Sequence, residues 1–527
     1  MTSTFAPAAS RQIEIKVLLT LFAATALFYL AFSPATIEGM GYYGENLNAA
    51  DQLLSNLSNL LHQQPLTKAS WTRHGGLELL FELPFVLLSR LFFGASVKWA
   101  GRVLALQPIL ATSLIVTLMF AWACRLTGNY RRSLLLALVA AFTTLLWPYA
   151  YIGLETTQSA CLLTAGYFAL GRKPRHTWGE VLSFSGCCVT ALAVKSTGLF
   201  LLPSLAYLIF CYFSAEGIKS RISKLAFLLS IIAGVFVVNA LLKESYFSNN
   251  LGSSVAFFSS LLVDGPLVAL SQAISFFGSA NKSLLIYAPV TALCLLKLPS
   301  AFRQSPALTI FAVLTLGGLV AGFSLVNVWS EETWGPRYLH SAIAPLLVCL
   351  AAAWQTKPAE ESLKEKISLF ATIALGLFVT LPGVLIPYTS LHQAMTRSER
   401  ATLPALQYDP IFNHVRFNYL LLRIWLKAPD APVSWPPAPL WWFEKPVDAV
   451  AKTVDLREWA SPQPARRTTK IAKHAPLNIR SALMVPISSW PRGTPRRPSG
   501  RCRPRIPRGA GDKAGSRLGT AYTADGA

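Results

Sequence analysis

The chain has 527 residues, of which 53% are hydrophobic and only 14% charged, yet 47 Lys and Arg stand against 25 Asp and Glu, a formal charge of +22. A mean hydropathy of +0.43, with apolar runs of membrane-spanning length, excludes an ordinary soluble domain. Half of the excess charge sits in the last 81 residues, Val447 to Ala527, so bulk charge does not mark a nucleic-acid binder.

A hydrocarbon core of about 30 Å takes roughly 20 apolar residues as helix, because backbone amides cannot be left unpaired in lipid. Eleven stretches meet or approach that length. They are Ile15 to Ser33, Val103 to Cys124, Ser133 to Tyr151, Thr157 to Leu170, Val181 to Val194, Thr197 to Phe213, Leu225 to Leu242, Leu284 to Leu296, Ala307 to Asn327, Tyr338 to Trp354 and Ile367 to Tyr388. The expected fold class is therefore all-α, a polytopic transmembrane helical bundle of about eleven spans. The first stretch follows Arg11, includes Lys16 and has no small-residue cleavage site, so it reads as an anchor.

A further apolar run, Leu79 to Phe93, carries Glu82, Pro84 and Arg90. If it does not cross, five basic loops share the side of the N-terminus: Arg125/Arg131/Arg132, Arg172/Lys173/Arg175, Lys219/Arg221/Lys224, Lys297/Arg303 and Lys357/Lys364/Lys366. If it crosses, all five invert. Lys and Arg favour cytoplasmic loops, so the run is expected in the interface or re-entrant, within a long first outer loop from Pro34 to Arg102. The expected location is a bacterial inner membrane with a cytoplasmic N-terminus. Ile152 to Thr156, Lys243 to Ser283, Val328 to Arg337 and everything after Leu391 then lie outside. No acidic residue falls in mid-span, which argues against an ion-coupled transporter and for a site at the outer surface.

Seven of the eight cysteines lie in or at the ends of spans and read as packing residues. No CxxC, HExxH, GxGxxG or P-loop spacing is present, so no metal site and no cofactor is indicated. Among the histidines, His74 and His340 stand out because each neighbours a more informative residue.

Those neighbours lie in the outer segments. Trp329-Ser330-Glu331-Glu332-Thr333-Trp334-Gly335-Pro336-Arg337-Tyr338-Leu339 combines a Gly-Pro turn, two Trp and an arginine at the start of a span. Such an arginine can grip a phosphate bidentately at headgroup depth, or it can serve with the aromatics as an interfacial anchor.

The string Trp334-Gly335-Pro336-Arg337-Tyr338-Leu339, followed by a span containing Pro345, resembles the signature of bacterial GT-C type membrane glycosyltransferases, the protein mannosyltransferase and aminoarabinose transferase-like enzymes. The segment Phe277 to Pro289, with Lys282, Tyr287 and Pro289, is similar to another of their motifs, although Ser279-Ala280-Asn281 replaces Ser-Pro-Gly. Leu146-Trp147-Pro148-Tyr149-Ala150 with Glu155 resembles an outer turn of the family, and Arg73-His74-Gly75-Gly76-Leu77 running into Leu83-Pro84-Phe85 resembles the end of its first outer loop. The four motifs occur in the family's order between about Pro34 and Tyr419.

The resemblance implies a GT-C like fold and a sugar donor on a polyprenyl phosphate. It also implies a glycan, lipid or protein acceptor reached from the outer face, an inverting transfer with little or no need of metal, and no nucleic-acid partner. The family's carboxylate after the first span matches Glu45 best, with Asp51 and Glu38 behind it. On that basis Glu45 is expected as the general base, Glu155 in an orienting role, and Arg337 and Lys282 at the donor phosphate, with Arg73, His74 and Lys195, which begins the outer end of the sixth span, as second-rank phosphate contacts. For each cation taken alone, snorkelling to headgroups competes. A flippase or transporter of lipid-linked sugars, or a family member without catalysis, are the alternatives.

Residues 1–446 form the expected membrane domain. From Val447 the composition turns to Arg, Pro, Gly, Ala and Ser without helical or strand period, and disorder is expected there. A headgroup-binding arm, a solvated extension and an out-of-frame translation compete for this tail.

Overall fold

The computed structural model describes residues 15–32, 50, 52–56, 59, 61–62, 76–94, 102–150, 153–172, 174–214, 217–246, 262–263, 265–279, 282–326, 335–354, 363–385, 411, 415 and 419. The chain divides into two units, Met1–Ser461 and Pro462–Ala527, and every described residue lies in the first.

The described residues are helical but for connecting turns and one isolated antiparallel bridge, Leu262 to Val326. In chain order the helices are α1 Ile15–Ala31, α2 Gly76–Phe93, α3 Leu106–Thr127, α4 Tyr130–Thr143, α5 Gly153–Gly166, α6 Trp178–Ala193, α7 Leu202–Phe213, α8 Ile218–Tyr246, α9 Pro266–Gly278, α10 Leu284–Tyr287, α11 Val290–Gln304, α12 Pro306–Ser324, α13 His340–Ala353 and α14 Leu363–Leu385. A π-turn, Tyr167–Gly171, extends α5, and 3₁₀ turns Ser196–Leu201 and Arg337–Leu339 lead into α7 and α13.

Among the described residues, Arg102–Thr127, Ile218–Val238, Pro306–Ser324 and Leu363–Leu385 are long and apolar enough to cross a bilayer, and five shorter apolar helices accompany them. The chain is a multi-pass membrane protein. On α8 the side chains of Ile222, Leu229 and Val237 are 63%, 54% and 57% exposed, an apolar surface of the kind that faces lipid.

The bundle is organised around α13, every residue of which is buried. A helix apolar all round belongs in a core, and Ala342, Ala344, Ala351, Ala352 and Ala353 let α3, α5, α11 and α12 approach it closely. Helix α12 uses glycine for the same purpose. A Cβ on Gly318 would stand 2.3 Å from the Phe200 carbonyl oxygen, and one on Gly322 would stand 2.1 Å from the Phe200 ring. A second core joins α1 to α2, α3 and α4, where Tyr29 Oη donates to the Ala141 carbonyl at 3.0 Å and Phe28 packs on Phe142 and Trp147.

Three sequence boundaries need correction. The expected span Ser133 to Tyr151 is helical only to Thr143, and residues 144–150 form turns. Thr143 and Thr144 turn their hydroxyls back onto the Val139 and Ala140 carbonyls, Thr144 Oγ1 then accepts from Leu146 N, and Pro148 lies beyond. The expected span Leu284 to Leu296 is broken at Ala288, ahead of Pro289, into α10 and α11. The expected outer segment Lys243 to Ser283 contains an apolar helix, α9, opened by Pro266 and packed on α12. Leu79 to Phe93 lies within one helix, α2, with Pro84 inside it.

The basic loops meet at one end of the bundle. Arg125 Nη1 donates to Gly171 O at 3.2 Å, Arg132 Nη1 to Trp354 O at 3.4 Å, and Lys224 Nζ to His176 O at 2.9 Å. Lys297 pairs with Glu365. These contacts tie all five loops together, and two of the arginines satisfy carbonyls that a helix end leaves open.

Candidate functional site

At the opposite end of the bundle, segments far apart in sequence bring charged side chains together. Glu155 stands in the first turn of α5 and is 4% exposed. Lys195 follows the C-terminus of α6, in extended backbone before the 3₁₀ turn, and is equally buried. Helices α5 and α6 are packed neighbours joined by a short connection, so the start of one meets the end of the other. Lys195 Nζ donates to Glu155 Oε1, and Arg337 Nε lies 3.5 Å from the same oxygen. Buried charge of this kind is tolerated when paired.

Arg337 is delivered by its own turn. Gly335 has φ +60, a conformation that favours glycine, and a Cβ there would stand 2.5 Å from the Tyr287 ring. Pro336, at φ −85 and ψ 65, makes an inverse γ-turn in which Arg337 N donates to Gly335 O at 3.1 Å. The next ring, Tyr338, is within reach of two cations: Lys195 Nζ is 5.5 Å and Arg337 Cζ 5.0 Å from its centroid. Arg337 Nη2 also donates to Tyr338 Oη at 3.3 Å, and Tyr338 packs on Phe323 of α12.

Lys282 is 1% exposed and reaches the Gly335 carbonyl at 3.5 Å. Its backbone N–H donates to Ser279 Oγ at 3.0 Å, and Ser283 caps α10 by accepting from Ile286 N. Ser279, kept where the two residues after it depart from the family's motif, thus has a structural use. Tyr149, in the turn after α4, sets its ring edge-to-face with His340 at 6.0 Å. His340 and Ser341, the first residues of α13, bond Ser159 of α5.

Three of the four sequence motifs therefore touch one another. Glu155 pairs with Arg337, Tyr149 packs on His340, and Gly335 sits on Tyr287. Of the residues singled out in the sequence, Glu155, Lys195 and Arg337 come together and Lys282 adjoins them through Gly335. Glu45, Asp51, Glu38, Arg73 and His74 lie outside the described residues. Sequence reasoning missed Ser159, Ser341 and the role of Tyr338, which carry no spacing signal of their own. Among the described residues no group of three or more His, Cys, Asp or Glu side chains is placed to hold a metal ion.

No protein-family model matches the chain, and no curated protein matches it. Among solved structures, it is similar to ArnT from Cupriavidus metallidurans bound to undecaprenyl phosphate, at 13% identity over 83% of this chain and 75% of that one, with a TM-score of 0.46. The apo state of that ArnT gives 12% identity, 83% and 74% coverage and a TM-score of 0.46. The archaeal oligosaccharyltransferase AglB from Archaeoglobus fulgidus, in complex with an inhibitory peptide and a dolichol-phosphate, gives 11% identity, 72% and 59% coverage and a TM-score of 0.38.

Proposed function

We propose that the chain is an integral membrane glycosyltransferase that moves a sugar from a polyprenyl-phosphate donor to an envelope glycan, lipid or protein acceptor on the outer face. The observation that carries this reading is the convergence of Glu155, Lys195, Arg337 and Tyr338 at the end of the bundle away from the basic loops. In the reaction the acceptor hydroxyl oxygen attacks the anomeric carbon, the bond from that carbon to the phosphate oxygen breaks, and the lipid phosphate departs with the electron pair. Lys195 and Arg337, with Lys282 beside them, stabilise the departing phosphate. Glu155 holds the first two in place through a single oxygen. Glu45, with Asp51 behind it, takes the acceptor's proton, and Arg73 is a further phosphate contact; these three assignments rest on the sequence resemblance. A polar group at one end of the bundle suits transfer at a membrane surface better than passage across it.

The test is a comparison of envelope glycans and glycolipids between cells with and without the gene, followed by complementation. One sugar should disappear, return with the wild-type gene, and stay absent with Arg337→Ala at equal membrane abundance. An unchanged set of envelope glycans would sink the reading.

A further inference from the structure

The hydrogen bonds around Ser159 determine where the proton of His340 resides. Ser159 Oγ has one proton and donates it to the Glu155 carbonyl oxygen at 2.5 Å. Its other two contacts, His340 Nδ1 at 2.8 Å and Ser341 Oγ at 2.7 Å, must then donate to it. The neutral imidazole therefore carries its proton on Nδ1 and a lone pair on Nε2. His340 is fully buried, and among the described residues Nε2 has no hydrogen-bond partner. Glu155 repeats the pattern: Oε1 takes Lys195 and faces Arg337, while the buried Oε2 has no partner among the described residues.

Two acceptors, on residues linked through Ser159, are thus buried without a donor. An unmet buried acceptor is costly, and more so on a charged group. The missing donor is not a cation, because Lys195 and Arg337 already stand against Glu155. A neutral hydroxyl fits both atoms. In a polyprenyl-phosphate sugar the ring is joined to the phosphate through one ester oxygen, so its hydroxyls lie next to whatever holds the phosphate.

We propose that Glu155 Oε2 and His340 Nε2 receive hydroxyl groups of the donor sugar, and so bind and orient the ring beside the cations. This rests on the glycosyltransferase reading above. Ser159 and Ser341 are positioning residues that fix the tautomer.

The test uses two substitutions of unequal chemistry in the full-length chain. In His340→Asn the side-chain amide can still donate to Ser159, but nothing replaces Nε2. In His340→Gln an acceptor reaches the Nε2 position. Each is expressed in cells lacking the gene, and the restored sugar is measured together with the polyprenyl phosphates, sugar-bearing and bare, that copurify with the protein. His340→Asn should lower transfer about tenfold or more and reduce the sugar-bearing share of copurified lipid, with thermal unfolding unchanged. His340→Gln should recover part of both. Full transfer by His340→Asn overturns the proposal. Equal losses in both variants with lowered unfolding temperature overturn it in favour of a packing histidine. Lost transfer with an unchanged lipid ratio overturns it in favour of the acceptor's hydroxyl. Loss of no sugar in cells without the gene counts against the glycosyltransferase reading instead. The tautomer is checked apart from activity: ¹⁵N-histidine spectra of the full chain, with His340→Asn marking the signal, should show Nδ1 protonated, and an Nε2-protonated ring overturns the inference.

Discussion

Glu155 faces two cations through one oxygen, so removing the carboxylate and removing one cation are unequal changes. Glu155→Gln leaves Lys195 and Arg337 buried together without it, and breaking a buried pair in this way costs about 3–5 kcal/mol. Lys195→Met keeps a carboxylate against an arginine and fills the lysine's volume, at an expected cost of about half that. Thermal unfolding in detergent should therefore rank wild type above Lys195→Met above Glu155→Gln; the reverse order would mean that Lys195, and not Arg337, is the partner that matters. Gly335→Ala makes a different point at the same scale. It forces a left-handed conformation on alanine and drives a Cβ into Tyr287, so the turn that delivers Arg337 must shift. An expected cost of about 1–3 kcal/mol, with transfer lost well beyond what unfolding explains, is checked by assaying folded protein below its transition. A charge beside a Gly-Pro turn made Arg337 visible in the sequence, and the family resemblance singled out Glu155 and Lys282. Ser159 was not visible, because its hydrogen bond to His340 closes across 181 residues and a serine in an apolar helix looks like any other small residue; His340 stood out only as the neighbour of a more informative residue.

At the level of elements, run length and hydropathy locate helices and say little about where they stop. Helix α4 ends at Thr143 because hydroxyls compete for its last carbonyls, and α10 ends before Pro289; a hydropathy window averages over both events. The short apolar helix α9 fell within an outer segment because 13 residues are too few to span. What packs α12 against the chain around Phe200 is a pair of glycines, and their neighbours provide an internal control. A Cβ at Gly318 meets the Phe200 carbonyl, whereas one at Gly317 meets nothing within 4 Å. Gly318→Ala should destabilise by about 1–3 kcal/mol, since the backbone carbonyl of Phe200 cannot rotate away as a side chain could. Gly317→Ala should be neutral or stabilise by up to about 1 kcal/mol through helix propensity. Equal effects in denaturant or thermal titrations would show that α12 does not rest on Phe200.

For the whole molecule, the decisive question is which side of the membrane each end of the bundle faces. The structure ties the five basic loops together at one end through contacts such as Arg132 to Trp354 and Lys224 to His176, and α12 runs from that end to the other. Glu155, Lys195 and Arg337 stand at the far end. The parity of the spans between α3 and α14 thus follows from the fold, while the side follows from charge: basic loops favour the cytoplasm. Cysteine substitution on a background without native cysteines separates the two statements. Arg131→Cys, Lys219→Cys and Lys364→Cys, all at exposed positions of the basic end, should react alike with a membrane-impermeant thiol reagent, and Leu325→Cys, 52% exposed at the end of α12, should react oppositely. A mixed response among the first three would break the fold's parity. A uniform response from the outside, with Leu325→Cys protected, would keep the fold but turn the charged site toward the cytoplasm. A lipid-linked donor would then have to be met on the side where it is made, and the acceptor would have to be an intracellular precursor and not an envelope surface.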